Sequence, residues 1–233
     1  MKNMTKTKSI VLLLCILFSQ LMIAQKKDSL QLQFHFKFDN AAILLNQQYI
    51  SKQQDTLQID TFRFYVSDIE IHYADKSILK TKTSHLIDLE LPDSQKIAID
   101  SYSKKEIKQI YFAVGVDSLA SVSGALSGDL DPAKGMYWAW QSGYINMKIE
   151  GKSASCKTRK NQFHFHIGGY LKPNQALRVI TLNQPKNTAL IDVAVNMATF
   201  FSEISLSQTN SIMIPGKRAM QLADIGAKMF SIE

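Results

Sequence analysis

Leu30-Gln-Leu-Gln-Phe-His-Phe-Lys-Phe38 alternates apolar and polar side chains without a break over nine residues. A period of two marks a β-strand with one face buried and the other turned outward. This puts Leu30, Leu32, Phe34, Phe36 and Phe38 in a core and points Gln31, Gln33, His35 and Lys37 away from it. The stretch 61–73 obeys the same rule twice, with Phe62, Phe64 and Val66 in one phase and Ile69, Ile71 and Tyr73 in the other. The phase changes across Ser67 and Asp68, which predicts a bulge or bend inside one long strand.

Working outward, residues 85–91, 108–114, 136–140, 144–150, 162–167, 177–182 and 189–195 are rich in β-branched and aromatic side chains. Gly, Pro, Asn or Asp punctuate several of the joins. About nine strands with no amphipathic helices between them predict an all-β single domain, an antiparallel β-sandwich or barrel. Residues 215–230 are the exception, with helical spacing at Met220, Ala223 and Ala227. They predict a short C-terminal helix, weakened by Gly226. Residues 115–135, with Gly124, Gly128, Pro132 and Gly135, read as a long irregular segment of the kind that is usually functional.

The chain has 233 residues, of which 45% are hydrophobic and 20% charged, a globular composition. Its net charge is +7, but Lys2, Lys6 and Lys8 open a segment that continues into an apolar run over residues 10–18 and 21–24. That pattern describes a signal peptide at 1–24, leaving a domain at 25–233 and a periplasmic or secreted location. The run is shorter than the ~20 residues that span a bilayer, and its surroundings make no convincing lipoprotein site at Cys15. Without those three lysines the charge falls to +4. The remaining cations are scattered, so no nucleic-acid footprint is present. Cys156 stands alone in the mature segment, which excludes an intramolecular disulfide and favours a buried or loop thiol.

Two constellations carry possible chemistry. Trp138 and Trp140 are the two tryptophans of the chain and, on a strand over 136–140, share a face with Met136. They read either as core aromatics or as a reactive pair. In Phe163-His-Phe-His-Ile167 the apolar residues share one face, so His164 and His166 share the other, roughly 7 Å apart. Neutral imidazoles so placed suit copper or zinc. His35, His72 and His85 also lie on predicted strands. No Walker, dinucleotide, zinc-finger or nucleophile-elbow pattern occurs. Asp129-Leu-Asp131 lacks the further oxygen donors of a calcium loop and reads as turn chemistry.

Taken in order, FRFYVSD at 62–68, HLIDL at 85–89, GDLDP at 128–132, GMYWAWQSGY at 135–144 and FHIGG at 165–169 resemble the MbnP family. The resemblance covers nearly the whole mature chain. These are exported bacterial copper-binding proteins, some encoded beside methanobactin genes. It implies a β-sandwich-like protein with no catalytic reaction of its own. It also implies a dihaem peroxidase partner of the MbnH/MauG type, which oxidises a tryptophan to kynurenine. The modified residue then helps histidines hold copper, as Cu(I). Carried onto this chain, the tryptophan candidates are Trp138 and Trp140, and His166 matches the FHIGG position. His164, one strand step away, and His35 in the first strand are the further ligand candidates. In related copper proteins of methanotrophs a ligating His follows the modified Trp by two residues; here that position is Trp140. The alternative from another class is an exported carbohydrate-binding or adhesion module, in which both indoles would be exposed stacking platforms.

Overall fold

The alternation of residues 30–38 is realised throughout: all five apolar side chains are buried and the four between them are half-exposed. The computed structural model describes residues 29–140, 143–183, 185 and 188–233, so the predicted signal peptide lies outside the described residues. The described strands are β1 (Leu30–Phe38), β2 (Ala41–Ala42), β3 (Gln48–Ile50), β4 (Thr56–Tyr73), β5 (Ile78–Thr81), β6 (His85–Asp88), β7 (Lys96–Ile99), β8 (Ile107–Val114), β9 (Tyr137–Trp138), β10 (Gly143–Ser153), β11 (Gln162–Gly168), β12 (Arg178–Asn183), β13 (Leu190–Asn196), β14 (Ser211–Ile212) and β15 (Phe230–Ile232). Three helices accompany them: α1 (Ser118–Val122), α2 (Met197–Ser202) and α3 (Lys217–Ala227). None of the described helices is long and apolar enough to cross a membrane.

The strands form two sheets, in keeping with the expected all-β architecture. The smaller runs β15-β13-β1-β2, with β7 also on β1. The larger runs β12-β8-β4-β10-β11-β14, with β3, β5 and β6 on β4 and β9 on β10. Most pairs are antiparallel, but β1–β13 and β11–β14 are parallel. β4 is the spine of the larger sheet. Its register slips between Ser67 and Glu70, and Asp68 takes a φ of 47°, which makes the bulge that the phase change predicts.

Phenylalanines from both sheets interlock between them. Phe34 and Phe36 of β1 meet Phe64 of β4 at ring separations of 5.8 and 6.0 Å, and Phe36 meets Phe62 at 5.2 Å. Phe230 of β15 closes on Phe64 at 5.2 Å and Phe112 of β8 at 5.6 Å. These mostly edge-to-face contacts add to a large area of buried ring surface. The C-terminal helix spans fewer residues than its spacing predicts. Gly226 lets it approach β10, since a Cβ there would sit 3.1 Å from the Met147 sulfur. The segment 115–135 is less irregular than expected, holding α1 and single 3-10 turns at Gly128–Leu130 and Pro132–Lys134. α2, unanticipated, is capped by the Asn196 side chain accepting from the Ala198 amide and buries Phe200 and Phe201.

Phe64 touches rings from both sheets, so Phe64→Ala is expected to cost about 3–5 kcal/mol of stability. Denaturant unfolding measures this, and a loss below about 1 kcal/mol would contradict an interlocked core.

Candidate metal centre

The pleat of β11 buries Phe163, Phe165 and Ile167, which turns His164 and His166 to the opposite face. β10 runs antiparallel beside it, with Ile149 buried and Lys148 and Glu150 turned outward. The register sets Lys148 against His166 and Glu150 against His164. Glu150 consequently stands between the imidazoles, its Oε1 2.6 Å from His166 Nε2 and 3.4 Å from His164 Nδ1. The three donor atoms lie within 4.8 Å of one another. Among the described residues, this is the one such group of three His, Cys, Asp or Glu donors.

Burial and charge set its electrostatics. His166 is 7% exposed and His164 is half-buried. The hydrogen bond to His166 holds the Glu150 carboxyl down at about 2 against the opposing effect of burial, with help from Lys148 and His164. Burial in turn lowers the Lys148 ammonium, which donates to the Gly135 carbonyl at 2.7 Å. Two imidazoles and an ionised carboxylate on one face can share protons or hold a metal ion that accepts nitrogen and oxygen donors.

The segment that carries the tryptophans lies over this end of the sheet. β9 pairs with β10 through Trp138 and Gly143. Trp138 is 6% exposed and rests on Gly168, where a Cβ would fall 2.8 Å from the indole Cζ3. Gly168 follows His166 by two residues, on the same face of β11. The strand is shorter than 136–140, so Trp140 falls in the following turn and is 63% exposed. The two indoles are neighbours, centroids 5.9 Å apart and planes 48° inclined, but they are not equivalent. Trp138, Tyr144, Tyr170, Lys172 and Pro215 help line a cleft of about 280 Å³ beside them.

A second apolar cluster, on the outer side of the larger sheet, anchors the segment. Tyr65, Leu86, Val116, Met136, Trp138, Tyr144 and Ile145 form it. The Tyr65 hydroxyl donates to the Asp129 carbonyl at 3.0 Å and the Tyr144 hydroxyl to the Leu130 carbonyl at 2.9 Å. Burial raises the Tyr65 phenol far above its ordinary range. The Asp129 carboxylate accepts from the Leu86 amide, and Asp131 accepts from the Ala133 amide. The two aspartates therefore do the turn and loop bonding expected of them.

The other candidates lie elsewhere. His35 is on β1, in the smaller sheet, with Nε2 2.7 Å from an Asp192 carboxylate oxygen, and it is not one of the group of three. His72 pairs with Glu70 at 2.9 Å and leans on the Tyr111 ring. His85 meets the Thr83 hydroxyl at 2.8 Å, and burial lowers its imidazole. Cys156 is in the main core, its thiol pushed up to about 11 by burial, and it contributes nothing to the cluster. Glu150 is the member that sequence reasoning missed. The alternation in 144–150 puts it on a polar face, but which strand lies beside that face is not encoded locally.

The sequence matches the MbnP family model over residues 27–214. No curated protein matches it. Among solved structures the fold is similar to that of MbnP from Methylosinus trichosporium, with a TM-score of 0.65 over 89% of this chain and 98% of that one, at 13% sequence identity. At that identity the structural likeness speaks for the fold alone. The family match extends over most of the chain and through both motifs of the candidate centre, and the chain belongs to the MbnP family.

Proposed function

We propose that this protein is an exported copper-binding protein. In this reading it holds Cu(I) beside the β10–β11 surface, with His166 as the anchoring imidazole and His164 next to it. A kynurenine made from Trp138 completes the surroundings. The observation that carries the reading is the placement of buried His166 and the buried Trp138 indole on one face of β11, with Gly168 giving the ring its seat. Imidazole nitrogen suits copper, so the donors present fit the metal. His35, engaged with Asp192 in the other sheet, takes no part. Burial of Trp138 also disfavours a carbohydrate-stacking platform, which would need both indoles exposed.

The oxidant in this proposal is hydrogen peroxide, used by a dihaem peroxidase of the MbnH/MauG kind. Two equivalents supply the two oxygens that open the pyrrole ring to N-formylkynurenine and leave as water after giving them up. Hydrolysis then releases the formyl carbon as formate, so the net change is one oxygen gained and one carbon lost. Trp138 is shielded from a macromolecule, whereas Trp140 is exposed and 5.9 Å away. Electrons can therefore leave Trp138 by way of the outer indole. The aromatic amine and ketone of the product would add nitrogen and oxygen donors on the face that carries His166.

Titration of the exported protein with Cu(I), in competition with a chelator, should give a Kd below about 1 μM. His166→Ala should weaken binding by more than about 100-fold and His164→Ala by less. Unchanged affinity in His166→Ala would overturn the assignment. Intact mass of protein made with the peroxidase should show the one-oxygen, minus-one-carbon increment. The increment should disappear in Trp138→Phe and fall in Trp140→Phe; its persistence in Trp138→Phe would place the modification elsewhere.

A further inference from the structure

The geometry points to Glu150 as a positioning residue that decides which nitrogen of His166 meets the metal: its carboxylate holds Nε2–H, so copper binds through Nδ1. This rests on the copper reading for its ligand, but the positioning itself is a property of the metal-free protein. Glu150 Oε1 lies 2.6 Å from His166 Nε2, the range of a charge-assisted hydrogen bond. A glutamate is ordinarily ionised near neutral pH, and an ionised carboxylate only accepts. The proton between the two atoms therefore sits on Nε2. In a neutral imidazole this leaves the lone pair on Nδ1, and among the described residues Nδ1 of His166 has no hydrogen-bond partner. The ring is 7% exposed, so packing and the Glu150 bond together fix its orientation.

The competing arrangement puts the ion in the middle of Glu150, His164 and His166. Two observations weigh against it for copper. Metal–ligand bonds of about 2.0–2.2 Å hold tetrahedral ligand atoms more than about 3 Å apart, whereas Oε1 and Nε2 are closed on each other at 2.6 Å. A carboxylate oxygen is also a hard donor, poorly matched to Cu(I). The same carboxylate serves better behind the imidazole, where it raises the basicity of the ligating nitrogen. His164, with Nδ1 3.4 Å from the same oxygen, steadies that carboxylate.

Long-range proton–nitrogen NMR of the metal-free, isotope-labelled protein reads the tautomer directly. We expect His166 to show protonated Nε2 and unprotonated Nδ1, and Glu150→Ala to lose this preference. In Cu(I) competition, Glu150→Ala should bind about 10- to 100-fold more weakly. Glu150→Gln, which keeps an acceptor oxygen at the same place, should restore the tautomer and most of the affinity. A wild-type His166 with unprotonated Nε2 overturns the proposal, as does Cu(I) affinity unchanged in Glu150→Ala with its fold intact by circular dichroism. If Glu150→Gln loses Cu(I) binding as fully as Glu150→Ala while keeping the His166 tautomer, the carboxylate is itself a ligand and the positioning role fails. The expected tautomer in a wild-type protein that binds no Cu(I) overturns the copper reading while supporting the ring positioning by Glu150.

Discussion

The pleat of a paired strand is the constraint on which this molecule depends. Every residue it commits to the core commits a neighbour to the opposite face. In β11 the burial of Phe163 and Phe165 leaves His164 and His166 no choice of side, and in β10 the burial of Ile149 does the same for Lys148 and Glu150. A slip of one residue between the two strands would carry Glu150 away from between the imidazoles and leave its charge facing nothing. The bulge between Ile145 and Met147, where the register shifts, keeps that slip outside the stretch that holds the cluster. The chemistry of the site is thus a consequence of how the phenylalanine core packs, delivered through two hydrogen-bonded strands.

A sheet face of this kind would ordinarily be open to water. Here a second, smaller apolar cluster covers part of it, and the chain between β8 and β10 supplies most of the cover. Tyr65 and Tyr144 hold the cover down by donating their hydroxyls to its carbonyls, and Asp129 ties it back to β6 through the Leu86 amide. The result is a buried imidazole at His166 and a buried indole at Trp138 over the same face, with the less buried His164 and the 63% exposed Trp140 each two residues away. Burial matters to the chemistry, because polar contacts strengthen where water is excluded.

Local pattern carried much of this, for physical reasons that also define its limits. The strand at 30–38 and the bend at Ser67 and Asp68 are legible because period-two burial is a property of consecutive residues. The pairing of His164 with His166 is legible for the same reason. Trp138 and Trp140 look alike on an ideal strand, yet the strand stops at Trp138 and the turn releases Trp140, which a two-residue spacing does not reveal. The parallel partnership of β1 with β13 and the approach of Glu150 to the histidines depend on strands far apart in the chain, and no window of sequence contains both members. His35 shows the converse: an attractive residue on a clear strand, placed in the other sheet beside Asp192.

The parallel pairing has a consequence for how the chain reaches this state. His35 of β1 and Asp192 of β13 are 157 positions apart, and β15 then adds to the far side of β13. Closing so long a loop carries a large entropic cost before any contact repays it, and topologies dominated by such contacts fold slowly. β1 can pair with β2 and β7 from the first half of the chain, but its parallel neighbour forms only once residues 190–196 are available. Completion of the smaller sheet therefore depends on β13 and β15, whereas much of the larger sheet pairs strands close in sequence, such as β4 with β5 and β10 with β11.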